Sequence, residues 1–217
     1  MTEVLLQPCQ MTPNLSERLR SETRTLHATA ESTPIMRSLL RCEIDETRYV
    51  ALLSNLLMIY SALEPALDRN AAHPVLSRIA HPAIRRAAAL RADLSALKGG
   101  DWRESDAIVS ATVAYAKRIE AIDLACPQLL LAHAYVRYLG DLSGGQVLKR
   151  VVSSNPMLKT PVPVAFYDFG DATTTASLAK TFRTGLASVV LSPLDEDAVV
   201  AEAKLAFELH ITLFNEL

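Results

Sequence analysis

Apolar positions recur along this chain with a period near 3.6, and nowhere does a convincing two-residue alternation take over. Asn14 and Glu17 form a capping pair that opens a helix to about Glu31, with Leu15, Leu19 and Leu26 on one face. Pro34 suits the first turn of a short helix ending near Arg41. A long apolar helix follows from Asp45 to about Arg69, with a bend expected at Pro65. The alanine-rich stretch from Pro82 to Leu97 predicts a helix that stops at Gly99-Gly100. Helices over Ser105 to Ala125 and Pro127 to Ser153 come next. Residues 155–171 hold Pro156, Pro161 and Pro163 and read as an irregular connection. Two further helices, Thr174 to Leu191 and Asp195 to Asn215, complete the pattern. It predicts one all-α, multi-helix domain over residues 14–217, behind a loose tail at residues 1–13.

Composition narrows the class. Of 217 residues, 50% are hydrophobic and 21% charged, as expected for a compact helical protein with a real core. A net charge of -2 gives no general basis for binding nucleic acid or an anionic membrane. Cys9, Cys42 and Cys126 are isolated, without a CxxC pair, which argues against a disulfide framework, a zinc ribbon and covalently attached c-type haem. Reduced thiols point to the cytoplasm. The start MTEVLLQPCQMTPN lacks the pattern of a signal peptide. The uncharged run from Tyr49 to Leu63 is too short to span a bilayer and reads as a core helix, and ITLFNEL is no membrane anchor.

The segment YLGDLSGGQVLKR, Tyr138 to Arg150, is chemically unusual. Each glycine inside a helix costs roughly 1 kcal/mol relative to alanine. Gly140, Gly144 and Gly145 fall on one face, which either packs closely against another helix or receives a flat ligand. They also ease bending. Asp141 adjoins this bare patch, either as a solvated acid or as a carboxylate that holds water beside a ligand. On the first helix, Arg20, Arg24 and His27 project from roughly one side, and Glu31 stands at i+4 from His27. That is either a surface ion pair or an imidazole whose tautomer is set by a carboxylate, leaving its other nitrogen for a metal. Two arginines beside such a ligand suit a cofactor that carries both metal and carboxylates. His73 and His81 precede prolines and read as loop or cap residues, whereas His133 and His210 lie in helices. No HExxH, ExxH pair, phosphate loop or GxSxG elbow occurs.

LLAHAYVRYLGDLSGGQVLKR, Leu130 to Arg150, resembles the signature segment of the haem (heme) oxygenases. LRSETRTLHATAES is similar to that family's proximal-histidine helix, and MIYSALEPAL, RYVALL, GGDW and EAKLAFELHITLF fall in the family's order. The resemblance runs from about Ser16 to the C-terminus. It implies haem b, at once cofactor and substrate, held between a proximal and a distal helix, with His27 as the iron ligand. Gly140 and Gly144 would let the distal backbone approach the haem, and Asp141 would organise distal water over the iron. Tyr60, Tyr115 and Arg137 match the distal hydrogen-bond network. Arg20, Arg24, Lys180 and Arg183 match basic positions for the propionates, Tyr135 lies near them, and Glu31 and Phe207 complete the expected haem contacts.

The implied reaction opens haem with O2 to biliverdin, most simply the α-meso isomer, with carbon monoxide and ferrous iron. The partners implied are an electron donor such as a ferredoxin or an NAD(P)H-dependent reductase, and a biliverdin acceptor such as a phytochrome. The basic pairs Lys117-Arg118 and Lys149-Arg150 are candidate donor-docking points as well as ordinary solvated surface. This chain departs from the family in three respects. Arg20 and Arg24 replace common lysines, Lys180 sits one residue nearer Arg183 than usual, and His210 stands where an asparagine is common. A haem carrier of the same fold is the alternative; it would share His27 but have no use for Asp141.

Overall fold

The computed structural model describes residues 14–99, 103 and 107–217, and among these every regular element is helical. The expected tail at 1–13, Gly100 and the Trp102 motif lie outside the described residues. The helices are α1 (Leu15–Glu22), α2 (Arg24–Glu31), α3 (Pro34–Leu40), α4 (Glu46–Arg69), α5 (Ala87–Lys98), α6 (Ser110–Ala125), α7 (Leu130–Ala134), α8 (Gly140–Ser153), α9 (Ala172–Ala187) and α10 (Pro193–Glu216). A single π-helical turn, Tyr135–Leu139, joins α7 to α8.

α4 forms the centre. It packs on α5 and α6, while α10 runs against α6, α7, α1, α2 and α3. By length and composition α4 could cross a bilayer, but its apolar surface is mostly buried inside the protein. Tyr49, Leu53, Ile59, Tyr60 and Leu63 on it are all inaccessible to water. Burying side chains of this size stabilises the fold by roughly 1.5–3 kcal/mol apiece before chain entropy is counted.

Local chemistry sets most helix ends. Asn14 and Glu17 form the expected capping box, each side chain accepting the other's backbone N–H at 3.0 Å. Asp45, Asp171 and Ser192 cap α4, α9 and α10. Gly99, at φ 75°, ends α5 in the left-handed conformation that favours glycine. Pro65 lies within α4 without ending it.

Five expected helices are revised. The first helix divides at Thr23, whose hydroxyl donates to the Leu19 carbonyl at 2.7 Å and competes with the backbone ladder. α5 begins at Ala87 rather than Pro82. Arg85 is extended (ψ 137°), and Glu64 of α4 accepts the N–H groups of Arg86 and Ala87, so a tertiary contact caps this helix. α6 begins at Ser110; its expected start at Ser105 lies outside the described residues. The Pro127–Ser153 helix is a 3-10 turn, α7, the π turn and α8 in series. α9 stops at Ala187 instead of Leu191, before the β-branched Val189 and Val190.

Residues 155–171 are irregular apart from the 3-10 turn Ala165–Tyr167, and they are firmly tied down. Both oxygens of buried Asp93 accept N–H groups, from Ala165 and Phe166, at 2.8 Å each. The Arg86 guanidinium lies over the Phe169 ring and donates to the Phe166 and Asp168 carbonyls. This holds Phe166, Tyr167 and Phe169 against α8. On the far side, a Cβ on Gly185 of α9 would lie 1.9 Å from the Arg78 carbonyl oxygen, so that crossing admits only glycine.

Candidate functional site

Between α1–α2 on one side and the π turn with α8 on the other lies a cavity of about 1190 Å³. α10 contributes Phe207, His210 and Phe214 to its wall, and Met36, Leu39, Leu52 and Leu56 line an apolar flank. Its size exceeds the usual range for small-ligand sites.

The α8 wall has little side chain. Gly140 and Gly144 both line the cavity, and a Cβ built on either would have no protein atom within 4 Å. Nothing in the fold therefore requires glycine there, although each weakens the helix. Gly145 behaves differently: its Cβ position is 3.5 Å from the Phe169 ring and 3.4 Å from the Tyr167 carbonyl oxygen. The expected three-glycine face thus divides into two glycines open to the cavity and one used in packing. The π turn before them shifts the register by one residue relative to an α-helix, a feature found mostly at functional sites.

Asp141 is the hub of a buried network. Its Oδ1 accepts from Arg137 Nη2 at 2.9 Å, and its Oδ2 accepts a short hydrogen bond from the Tyr60 hydroxyl. Arg137 also donates from Nε to the Tyr60 oxygen at 3.2 Å and lies 2.9 Å from His210 Nε2 through Nη1. Burial pushes the Asp141 carboxyl above its ordinary range, opposed by the Arg137 charge and the Tyr60 hydroxyl. Burial also disfavours charge on Arg137, but Asp141 and the neighbouring tyrosines more than offset it. Tyr60 is held neutral chiefly by burial. It supports the network from behind the wall, since it is fully inaccessible and is not a lining residue.

Tyr115 belongs to an adjoining chain. Its hydroxyl is 3.2 Å from His133 Nδ1, and His133 Nε2 is 2.9 Å from Glu202 Oε1. Glu202 takes a two-pronged contact from Arg118, which also orders half of the basic Lys117-Arg118 pair. Burial raises the Glu202 pKa, but the hydrogen bonds from His133 and Arg118 outweigh it and bring the value down to about 2. Tyr115 reaches the distal network through ring contact, edge-on to His210 with ring centroids 5.0 Å apart.

The α2 wall is open. His27 lines the cavity with its side chain 53% exposed, its Nδ1 3.6 Å from Glu31 Oε2 and its ring edge-on to Phe207 at 5.9 Å. That Glu31 distance is within ion-pair range but longer than a hydrogen bond. Arg20, Arg24 and Arg183 line the rim, and Arg183 donates to Ser143 at 3.3 Å. Tyr135 lines the wall near Arg20 and Thr23; burial raises its pKa, with Thr23 and Arg20 opposing. Lys180 is exposed on α9 and is not a lining residue. Its neighbour three positions on, Arg183, takes the place at the rim.

These residues fit a haem. A bare backbone strip faces an accessible imidazole across an apolar gap, with cations at one rim for carboxylates. Sequence reading did not single out Glu202, Asp93, Phe166 or Tyr167. The first two left a faint signal, each being an acid within an otherwise apolar helical face; the aromatics lay in a segment without periodicity.

Comparison with known proteins gives one consistent answer. The family model described as heme oxygenase matches residues 13–216. Heme oxygenase 1 of Nostoc is 34% identical over 207 residues, covering 95% of this chain and 87% of the relative. The crystal structure of heme oxygenase-1 from the cyanobacterium Synechocystis in complex with heme aligns with a TM-score of 0.88 at 34% identity, covering 94% of this chain and 92% of that one. The heme oxygenase structure from Leptospira interrogans also aligns at a TM-score of 0.88 and 34% identity, over 94% of this chain and all of that one.

Proposed function

The chain belongs to the haem oxygenase family of haem-degrading oxidoreductases, and from that premise we propose how its own residues divide the work. Haem is the substrate; when bound it supplies the iron that activates O2 and the porphyrin that is opened to biliverdin, carbon monoxide and ferrous iron. His27 is the residue that ligates the iron. Glu31 biases the imidazole to carry its proton on Nδ1, which leaves Nε2 for the metal. Arg20, Arg24 and Arg183 take the propionates and fix the in-plane orientation of the macrocycle, and Tyr135 shapes the same edge. Phe207 buttresses His27.

On the opposite face Gly140 and Gly144 admit the ring close to the backbone. Each Asp141 oxygen already accepts one hydrogen bond, from Arg137 or from Tyr60, and a carboxylate has about four acceptor directions. The remaining ones accept one proton of a water at the distal face, which leaves that water's other proton free to point inward. Arg137 and Tyr60 hold Asp141 still, so that the water is placed before the reaction and not during it. Tyr115 stiffens α6 behind them.

Orientation by three rim cations favours a single meso edge, which we assign as the α position. The electron donor is an acidic ferredoxin or an NAD(P)H-dependent reductase. A phytochrome-type acceptor for biliverdin and a cytoplasmic setting complete the reading, the latter in keeping with Cys42 and Cys126 as free thiols.

The observation that carries it is the pairing of an open imidazole on α2 with two glycines on α8 whose Cβ positions are empty. The test is a visible spectrum of the protein with one equivalent of haemin, followed through addition of reductant in air. Loss of the Soret band with growth of a biliverdin band is expected, and product analysis gives the meso position. A stable complex that cycles between oxidation states without ring opening would make the protein a carrier.

A further inference from the structure

Two histidines line the cavity, His27 on α2 and His210 on α10. Their surroundings differ sharply. His210 is 2% exposed, and both of its ring nitrogens have partners. Nε2 lies 2.9 Å from Arg137 Nη1, and Nδ1 lies 3.2 Å from the carbonyl oxygen of Ala206, one turn earlier on the same helix.

Elementary chemistry settles the protons. A guanidinium has donors and no acceptor, so the nitrogen facing it must be bare. A carbonyl oxygen accepts and never donates, so the nitrogen facing it must carry the hydrogen. A second proton would set an imidazolium against a buried guanidinium at 2.9 Å. The other groups around His210 offer that second charge no partner. Tyr115 from α6 presents its ring at 5.0 Å, Phe214 of α10 lies at 5.4 Å, and His133 of α7 bears on it only unfavourably.

We propose that His210 is a positioning residue of the distal network: locked as the neutral imidazole with its proton on Nδ1, it accepts one N–H of Arg137 and so fixes the guanidinium whose other N–H groups hold Asp141 and Tyr60. The corollary is negative and equally specific. With both nitrogens occupied, His210 is closed to iron and cannot carry protons, although it shares a cavity wall with the ligand His27. α10 thereby determines where the Asp141 carboxylate stands, through one intermediary and without touching it.

The consequence for turnover rests on the haem reading above, but the central measurement does not. It uses the full chain without haem, labelled with 15N at histidine and 13C at aspartate carboxyls. In the unaltered protein the His210 shifts should report a protonated Nδ1 and a bare Nε2, unchanged across about pH 6 to 8. Two variants follow. His210→Leu fills the space without an acceptor; His210→Gln restores a carbonyl oxygen near the Nε2 position. In His210→Leu the Asp141 titration should move up by about one pH unit, because a loosened Arg137 no longer opposes burial. His210→Gln should return it toward the original value. With haem, His210→Leu should bind within about twofold of the unaltered protein while kcat falls roughly tenfold, and His210→Gln should recover most of it.

An imidazolium or an Nε2–H tautomer at His210 in that pH range would overturn the proposal. So would an Asp141 titration indifferent to His210→Leu, or a folded His210→Gln variant as impaired as His210→Leu. Should His210→Leu not fold, the tautomer in the unaltered protein and the Asp141 titration in His210→Gln still decide. A protein that showed the locked tautomer but bound no haem would sink the haem reading and leave this one standing.

Discussion

On the α2 side of the cavity, His27 is half exposed, and its nearest acid, Glu31, lies 3.6 Å away. Arg20 and Arg24 beside it form no ion pair among the described residues. On the α8 side, Arg137 is buried and divides its N–H groups among Tyr60, His210 and Asp141, while Asp141 receives a donor on each oxygen. One wall is finished before any ligand arrives; the other is completed by it. The division follows the work of each side. On the proposed reading, ligation and charge pairing are supplied when haem brings its iron and carboxylates. On the same reading, the placing of distal water has no such help and has to be built into the protein beforehand.

If the walls differ in this way, substitutions on them should fail differently. Asp141→Ala should leave haem bound and cut biliverdin formation about 10³-fold, within the span of positioned proton-handling groups. It should also destabilise the haem-free protein by about 3 kcal/mol, because Arg137 is left buried without its counter-charge. Single-turnover absorbance and urea unfolding measure the two effects. Unchanged unfolding would mean that the distal wall is not preassembled.

The network behind that wall has its own signature in pH. Glu202 has its pKa lowered from 4.5 to about 2, so its contribution is present above 4.5 and is lost as pH falls toward 2. The difference amounts to something on the order of 3 kcal/mol. Urea midpoints through that acid window should fall steeply in the unaltered protein and lose that component of the slope in Glu202→Gln. Equal slopes would show that the Arg118–Glu202–His133 chain forms no tighter than in the unfolded state.

His27→Ala should do the reverse of Asp141→Ala. An exposed side chain gives up less than about 0.5 kcal/mol of stability when truncated. Haem affinity should nonetheless fall by at least the roughly 100-fold that even a group supporting a metal ligand can cost. A haemin titration gives the answer, and a ferric spectrum identical to that of the unaltered protein would exclude His27 as the ligand.

The smallest effect runs in the opposite direction. Gly140→Ala and Gly144→Ala should each raise haem-free stability, by at most about 1 kcal/mol, since a methyl group fits in empty space and alanine favours the helix. Both should weaken haem occupancy. Gly185→Ala, at the crossing with Arg78, should destabilise and leave the cavity unaltered. Thermal melts with and without haem separate the two classes.

Helices were legible in the sequence wherever an apolar stripe and a local cap agreed, as at Asn14, Asp45 and Gly99. They were misjudged where a distant residue decided. Nothing near Ala87 announces that Glu64 will cap its helix, and nothing in Tyr135–Leu139 distinguishes a π turn from an α turn. The site shows the same division. His27, Arg20, Arg24 and the glycines stood out because their spacing along one helix carries the pattern, whereas Arg183, on α9, was marked only by the family resemblance. The link from Arg137 to His210 spans 73 residues and is set by packing alone. That Gly145 differs in use from Gly144 depends on the Phe169 ring, delivered by the irregular segment that Asp93 and Arg86 pin.

The cavity has a consequence beyond chemistry. An open cleft of about 1190 Å³ in a 23.7 kDa protein leaves a substantial wall surface unpacked, and the molecule that fills it is the one that gets consumed. Each cycle removes the contacts that haem makes with the walls on α2 and α8. At substrate levels a hundredfold above Kd, occupancy contributes about 2.7 kcal/mol that disappears when haem runs out. The protein should therefore survive longest in a cell rich in haem and be cleared by proteases in one depleted of it, its abundance following its workload without any dedicated regulator.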